Sequence, residues 1–306
     1  MRYGGNTSCV EVRGDDGTLI VLDCGTGAHG LGQALLAQGP RCDGHLMITH
    51  THWDHIQGFP FFAPLFVSGN TWHIYAPGKL GHQLEQTLSG QMEYNYFPVT
   101  LAQLAASISF HDLAEGEFAI GGVRVVARYL NHPALTLGYH LESGGTSIVY
   151  SVDHEPHVPN PAARSGGEAQ HKEDQRHIDF LADADLVIHD SQYTIAEYPQ
   201  KTGWGHTPAQ WAVDYALAAA RADSRSRITI RCATTMRWTG SSSSAGGARK
   251  PPAATSRSSR RAKAKCSTSC GAGRKRRRQI GRPKRRRAKR RRRFSSPTTT
   301  PKSCGS

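Results

Sequence analysis

The sequence is poor in cysteine and keeps its acids away from most of its bases. Of 7 cysteines in 306 residues, only Cys9, Cys24 and Cys42 precede residue 231. So sparse and odd a set argues against a disulfide scaffold and for reduced thiols in a cytoplasm. No apolar run approaches the roughly 18 residues of a membrane span. The opening Met1-Arg2-Tyr3-Gly4-Gly5-Asn6 has no apolar signal-peptide core. After residue 230 there is no acid, no histidine, no leucine and no valine. Residues 1–230 hold 13 Lys+Arg against 24 Asp+Glu, whereas residues 231–306 hold 25 Lys+Arg alone, so the net charge of +14 averages an acidic part and a basic one. A segment of one charge sign with so little to bury cannot build a core. The expected organisation is one α/β domain over 1–230 and a disordered Arg/Ser-rich tail over 231–306.

Within the first part, strands alternate with short helices. Ser8–Arg13 and Thr18–Asp23 read as strands joined at Asp15-Asp16-Gly17, a hairpin signal. His29–Gln38 and Leu80–Met92 have helical patterns. His45–Thr49, Trp72–Ala76, Ser107–Asp112, Val123–Tyr129, Thr136–Glu142, Ser147–Val152 and Leu186–His189 read as strands. His154–His177, polar and broken by Pro and Gly, reads as a surface loop. Thr207–Ala222 reads as a helix capped by Thr207, with Pro208 in its first turn. Ile228–Ile230 starts a last strand. Hairpins mixed with strand–helix units suggest two sheets flanked by helices.

The strongest chemical signal is His50-Thr51-His52-Trp53-Asp54-His55. Four potential ligands within six residues, between a buried strand and a helix, suit Zn²⁺ or a similar divalent ion. A sharp turn there lets His50 and His52 point one way and Asp54 and His55 another. This stretch resembles the His-x-His-x-Asp-His hallmark of the metallo-β-lactamase superfamily. With Tyr3-Gly4-Gly5-Asn6-Thr7-Ser8-Cys9, Asp23-Cys24-Gly25-Thr26-Gly27 and Thr49 to Gly58, it is similar to the branch near ribonuclease Z and the cyclic-phosphate phosphodiesterases. The resemblance covers about residues 1–230 and implies an αβ/βα sandwich with two divalent ions, Zn²⁺ or Mn²⁺, between the sheets. It implies that His50, His52 and His132 hold one ion, that Asp54 and His55 hold the other, and that Asp153 bridges both. The remaining histidines apart from His206, with His154 and His189 among them, read as ordinary.

Gly25-Thr26-Gly27-Ala28-His29-Gly30 also fits a dinucleotide-binding fingerprint. The next strand, however, ends on His50 and not on the acid such a site needs. The glycines read instead as a tight turn beneath the metal loop, with Asp23 as a candidate partner of a ligand.

Two further stretches resemble ribonuclease Z: Ala184 to Ser191, with Asp190 where that family has Glu, and Gly205-His206-Thr207-Pro208, with Pro208 where it has Thr. The resemblance implies an acid–imidazole pair, Asp190 and His206, that protonates the leaving oxygen; a carboxylate beside an imidazole raises its pKa toward neutrality. Asp54, Asp190 and His206 are thus the candidate catalytic residues. The activity implied is phosphodiester hydrolysis by a metal-bridging hydroxide, on a small or cyclic phosphodiester, in the cytoplasm and not at a membrane. RNA is a second candidate substrate, since no long Gly/Pro-rich clamp is present, and a homodimer a candidate assembly. Cleavage of a lactone, thioester or β-lactam is the alternative chemistry.

The family ends with one more ligand histidine, often in a His-His-Asp run, after its last strand. Here Arg231-Cys232-Ala233-Thr234-Thr235-Met236 stands in its place. The codons TGY GCN ACN ACN ATG, read from the third base of the cysteine codon, permit Arg-His-His-Asp. The composition break falls at the same point, so residues from about 231 read as a frameshifted translation. The rival is a crippled metal site with a genuine basic tail, in which Arg274-Lys275-Arg276-Arg277-Arg278 and Lys284-Arg285-Arg286-Arg287 would bind nucleic acid phosphates. Family members usually carry a strand ahead of Tyr3, so Met1 reads as a displaced start or the chain as a fragment.

Overall fold

The computed structural model describes residues 5–78, 83–157 and 171–220, and the backbone of two short strands at 227–228 and 236–239. Strands β1 (Val10–Arg13), β2 (Leu19–Leu22), β3 (Gly44–Met47), β4 (Thr71–Pro77) and β5 (Ser107–Leu113) make the first sheet, and β6 (Gly116–Ile120), β7 (Val123–Leu130), β8 (Thr136–Ser143), β9 (Thr146–Ser151) and β10 (Leu186–His189) the second. Two last strands, β11 (Arg227–Ile228) and β12 (Met236–Thr239), complete the orders β12-β1-β2-β3-β4-β5 and β11-β10-β9-β8-β7-β6. Apart from the antiparallel β1–β2 hairpin, the first sheet is parallel. In the second, β6 to β9 run antiparallel and β9, β10 and β11 parallel.

Period-two alternation builds the layers. β2 is apolar at all four positions: Leu19 and Val21 face α1 (Gly27–Leu36) and the helical turns after it, while Ile20 and Leu22 face the second sheet. The core between the sheets joins Val10, Val12, Met47, Val125, Tyr139, Ile148 and Ile188. Outside the first sheet lie α1, the single turn α2 (Trp53–Ile56) and α3 (Gln83–Gln91), with Ile56, Leu84 and Leu88 in the core. Outside the second, α4 (Lys172–Leu181) and α5 (Ala209–Ala219) pack Ile178, Leu181, Tyr215 and Ala219 on Val149 and Val187. The result is the expected αβ/βα sandwich.

The structure departs from the sequence reading in four places. β6 is an edge strand in which Ile120 alone is buried, so it carries almost no periodic signal. α4 occupies the end of the expected loop; its apolar residues fall in its C-terminal half and its buried Asp174 accepts the Tyr215 hydroxyl at 2.6 Å, a pairing that exists only in the folded chain. Thr207 does not cap α5, whose N-cap is Pro208, because its hydroxyl donates to the His154 carbonyl. β12 lies within the stretch assigned to the disordered tail; its backbone pairs in parallel with β1 along Val10–Arg13, an edge that would otherwise stay open. The expected residues 229–230 of the last strand, Cys232 and the tail from 240 to 306 lie outside the described residues.

The strand ends matter most for function. β2, β3, β7, β9 and β10 lead respectively into Asp23, the His50–His55 loop, His132, Asp153 and Asp190.

Candidate metal centre

Two of these strands end in unusual backbone. Asp23 and Asp153 have φ of 58° and 55°, a left-handed conformation that Asp tolerates better than most residues. The loop after β3 packs on the turn after β2: Cys24 N–H donates to His55 O at 2.8 Å and Gly58 N–H to Cys24 O at 2.8 Å. A Cβ on Gly25 would strike the Asp54 carbonyl, so the glycine-rich turn permits this close approach and no nucleotide is needed to explain it.

His50, His52, His132 and Asp153 offer ligand atoms that all lie within 4.8 Å of one another, as do those of Asp54, His55 and Asp153. Asp153 Oδ2 is 3.4 Å from His50 Nε2, 3.2 Å from His55 Nε2 and 3.8 Å from His132 Nε2. His55 Nε2 is 3.4 Å from Asp54 Oδ2, on the exposed side of the cluster. All six expected ligands therefore converge, with Asp153 shared.

The donor chemistry fits divalent ions. His132 donates its Nδ1–H to the Gly205 carbonyl at 3.0 Å, which leaves the Nε2 lone pair facing His52 Nδ1 at 3.0 Å. Two ring nitrogens so placed need a shared proton or a shared cation. His50 Nε2 is buried and has no hydrogen-bond partner, the state of an atom that needs an ion. Burial, then the nearby His55, lowers the His50 pKa to about 2, so the ring is neutral and its lone pair is free. Burial opposes ionisation of Asp153, but the hydrogen bond and charge of His55 outweigh it and hold its pKa down.

Every one of these residues falls inside residues 18–228, which match the family model described as the beta-lactamase superfamily domain. The chain belongs to this superfamily. Its members are metal-dependent hydrolases, and this one is 30% identical over 107 residues to ribonuclease Z of Staphylococcus carnosus, a match covering 34% of this chain and 32% of that protein. It is 23% identical over 262 residues to ribonuclease Z of Haloarcula marismortui, covering 70% of this chain and 77% of that one. It thus spans only about a third of the length of the staphylococcal relative. The solved structure of human tRNase Z, short form, is 20% identical, with a TM-score of 0.49 and coverage of 77% and 88%.

Beside this cluster stands the expected second pair. His206 Nδ1–H donates to Asp190 Oδ2 at 3.0 Å, and His206 Nδ1 is 3.9 Å from Asp153 Oδ1. Asp190 also accepts Thr207 N–H at 2.9 Å. Burial works against the His206 cation, but Asp190, then Asp153 and Asp54, raise its pKa above the ordinary value. The shorter Asp190 reaches its imidazole because the backbone around Thr207 is bonded to the same carboxylate.

Two partners escaped the sequence reading. Thr49 and Tyr150 both hydrogen-bond Asp23, the hydroxyl of Tyr150 at 2.8 Å. In sequence they are an ordinary strand Thr and a core Tyr, with no motif to mark them. His154, His177 and His189, read as ordinary, form a buried group: His154 stacks on His177 with ring centres 3.7 Å apart, and His177 Nε2 lies 2.9 Å from His189 Nε2. Burial lowers the pKa of all three. Cys9, Cys24 and Cys42 are free and buried. No helix among the described residues is long and apolar enough to cross a membrane.

Proposed function

We propose that this chain is a phosphodiesterase that hydrolyses a small or cyclic phosphodiester with two divalent ions, Zn²⁺ or Mn²⁺. The observation that carries the reading is the His206–Asp190 pair, 3.0 Å apart at the edge of the ligand cluster. A phosphodiester expels an alkoxide, which needs a proton, whereas a thioester expels a thiolate, which leaves without one. The ribonuclease Z relatives support the same class of bond.

In this reading His50, His52, His132 and Asp153 hold one ion, and Asp54, His55 and Asp153 the other. The bound ions would supply an activated water and compensate charge on phosphorus. Asp190 keeps the Nδ1–H of His206, so the opposite nitrogen, Nε2, carries the proton that passes to the leaving oxygen. Neutral His206 then regains that proton from water. Asp23 fixes the Nδ1–H of His55 and so turns its Nε2 toward Asp54 and Asp153. We place the reaction in the cytoplasm and admit a homodimer.

The test is a substrate panel on the frame-restored protein under Zn²⁺ and Mn²⁺: bis(p-nitrophenyl) phosphate, a 2′,3′-cyclic phosphate, a tRNA precursor, a lactone, a thioester and a β-lactam. Turnover of the two phosphodiesters above the rest is expected. Preference for the tRNA precursor would make RNA the substrate, and turnover confined to acyl compounds would overturn the proposal.

A further inference from the structure

We propose that Glu155 is a positioning residue that fixes His132 and His206 together through one loop; the functional roles of those two histidines rest on the reading above. Glu155 is two residues past Asp153 and is 6% exposed. Its Oε1 accepts the Tyr198 hydroxyl at 2.6 Å and Gly203 N–H at 2.8 Å, and its Oε2 accepts Gly205 N–H at 2.7 Å. Its backbone N–H donates to Asn131 O at 2.8 Å, and its carbonyl accepts Asn131 Nδ2 at 2.7 Å. Glu155 therefore grips His132 from both sides: by Asn131 before it in the chain, and by Gly205, whose carbonyl receives the His132 Nδ1–H.

The loop's other ties lie to either side of Gly205: the Thr202 hydroxyl donates to Tyr198 O at 3.3 Å and Trp204 N–H to Lys201 O at 3.1 Å, while Asp190 takes His206 and Thr207 N–H. Thr202, Gly203 and Trp204 are exposed, with Trp204 57% accessible, so packing does not fix their backbone. Gly205 has φ of +83°, and a Cβ there would run into His132 Nδ1, so the carbonyl reaches the imidazole only because this residue is glycine. The next residue is His206. One carboxylate thus sets the tautomer of a metal-facing imidazole and the starting point of the proton donor. A carboxylate has two acceptor oxygens for three donors on two sides. A glutamine has one, and would turn an N–H toward a donor.

The experiment uses the full 306-residue chain. Long-range ¹H–¹⁵N NMR of the metal-free protein reads the His132 tautomer, and titration against a chromophoric chelator reads Zn²⁺ affinity. In the wild type the Nδ1–H form is expected. In Glu155→Gln that signal should give way to mixed tautomers, with Zn²⁺ bound about 10-fold more weakly, the scale typical of groups that orient a metal ligand. Tyr198→Phe removes one of three donors and should show a smaller loss of the same sign. A folded Glu155→Gln with wild-type tautomer and affinity overturns the clamp. If that variant does not fold, wild-type values in Tyr198→Phe overturn it. Neither readout needs turnover, so absence of phosphodiesterase activity would count against the function and leave this test intact.

Discussion

The Asp23 carboxylate accepts the Nδ1–H of His55 at 2.8 Å, with both side chains buried. The contact joins the end of β2 to the loop after β3, and the same carboxylate takes Thr49 from its own sheet and Tyr150 from the other. Asp23 is thus a bond between the two sheets as well as the residue that aims His55. Burial disfavours a charged His55, but Asp23, Asp153 and Asp54 together raise its pKa well above the usual value.

Asp23→Asn keeps the size of the side chain and removes one acceptor. It should weaken binding of the ion held by Asp54 and His55 by about 10–100-fold. Tyr150→Phe should leave that ion in place and cost about 1 kcal/mol of stability, one hydrogen bond. Zn²⁺ titration and urea unfolding separate the two effects.

Metal content tests the centre itself. The purified chain should carry at least one divalent ion, and His50→Ala should lose it, because His50 Nε2 is buried with no other use. Elemental analysis of a His50/His52 double alanine variant that kept its full metal complement would remove the assignment.

The His206–Asp190 pair gives a pH signature. The folded pKa of His206 lies above its ordinary 6.5, so the pair's stabilisation is fully present below about pH 6.5 and fades as pH rises through the raised value. Asp190→Asn should therefore lower Tm more at pH 5.5 than at pH 9. An equal loss at both values would mean that the pair is not charged.

Proton donation has its own kinetic mark. In a frame-restored protein, His206→Ala should slow a phosphodiester with a poor alkoxide leaving group by about 10²–10⁴-fold. It should affect bis(p-nitrophenyl) phosphate far less, since a good leaving group departs with little help. Equal losses on the two substrates would assign His206 another role.

The reading of residues from about 231 as frameshifted predicts that restoring the frame at Cys232 raises phosphodiesterase activity by orders of magnitude at equal Zn²⁺ or Mn²⁺. Equal activity of the two chains, or a resequenced gene that confirms the basic stretch, would leave the tail to be explained on its own terms.

The sequence by itself determined the local facts. Four candidate ligands within His50–His55 can be read because a single turn carries them, and the strands β2 and β10 can be read because apolar runs such as Leu19–Leu22 are buried on both faces wherever they pack. His132, Asp153, Asp190 and His206 were legible only through resemblance, because a lone histidine or aspartate at a strand end has no periodic or compositional mark. What only the tertiary structure decided were the contacts between distant segments: Tyr150 reaching Asp23 across the sheets, Glu155 holding Gly205 against His132, α4 folded around a buried Asp174, and β12 laid along β1. Each is a hydrogen bond between residues far apart in the chain. Its partner becomes available only once the sheets and the helices and loops on them are assembled, and no pattern within either segment announces it.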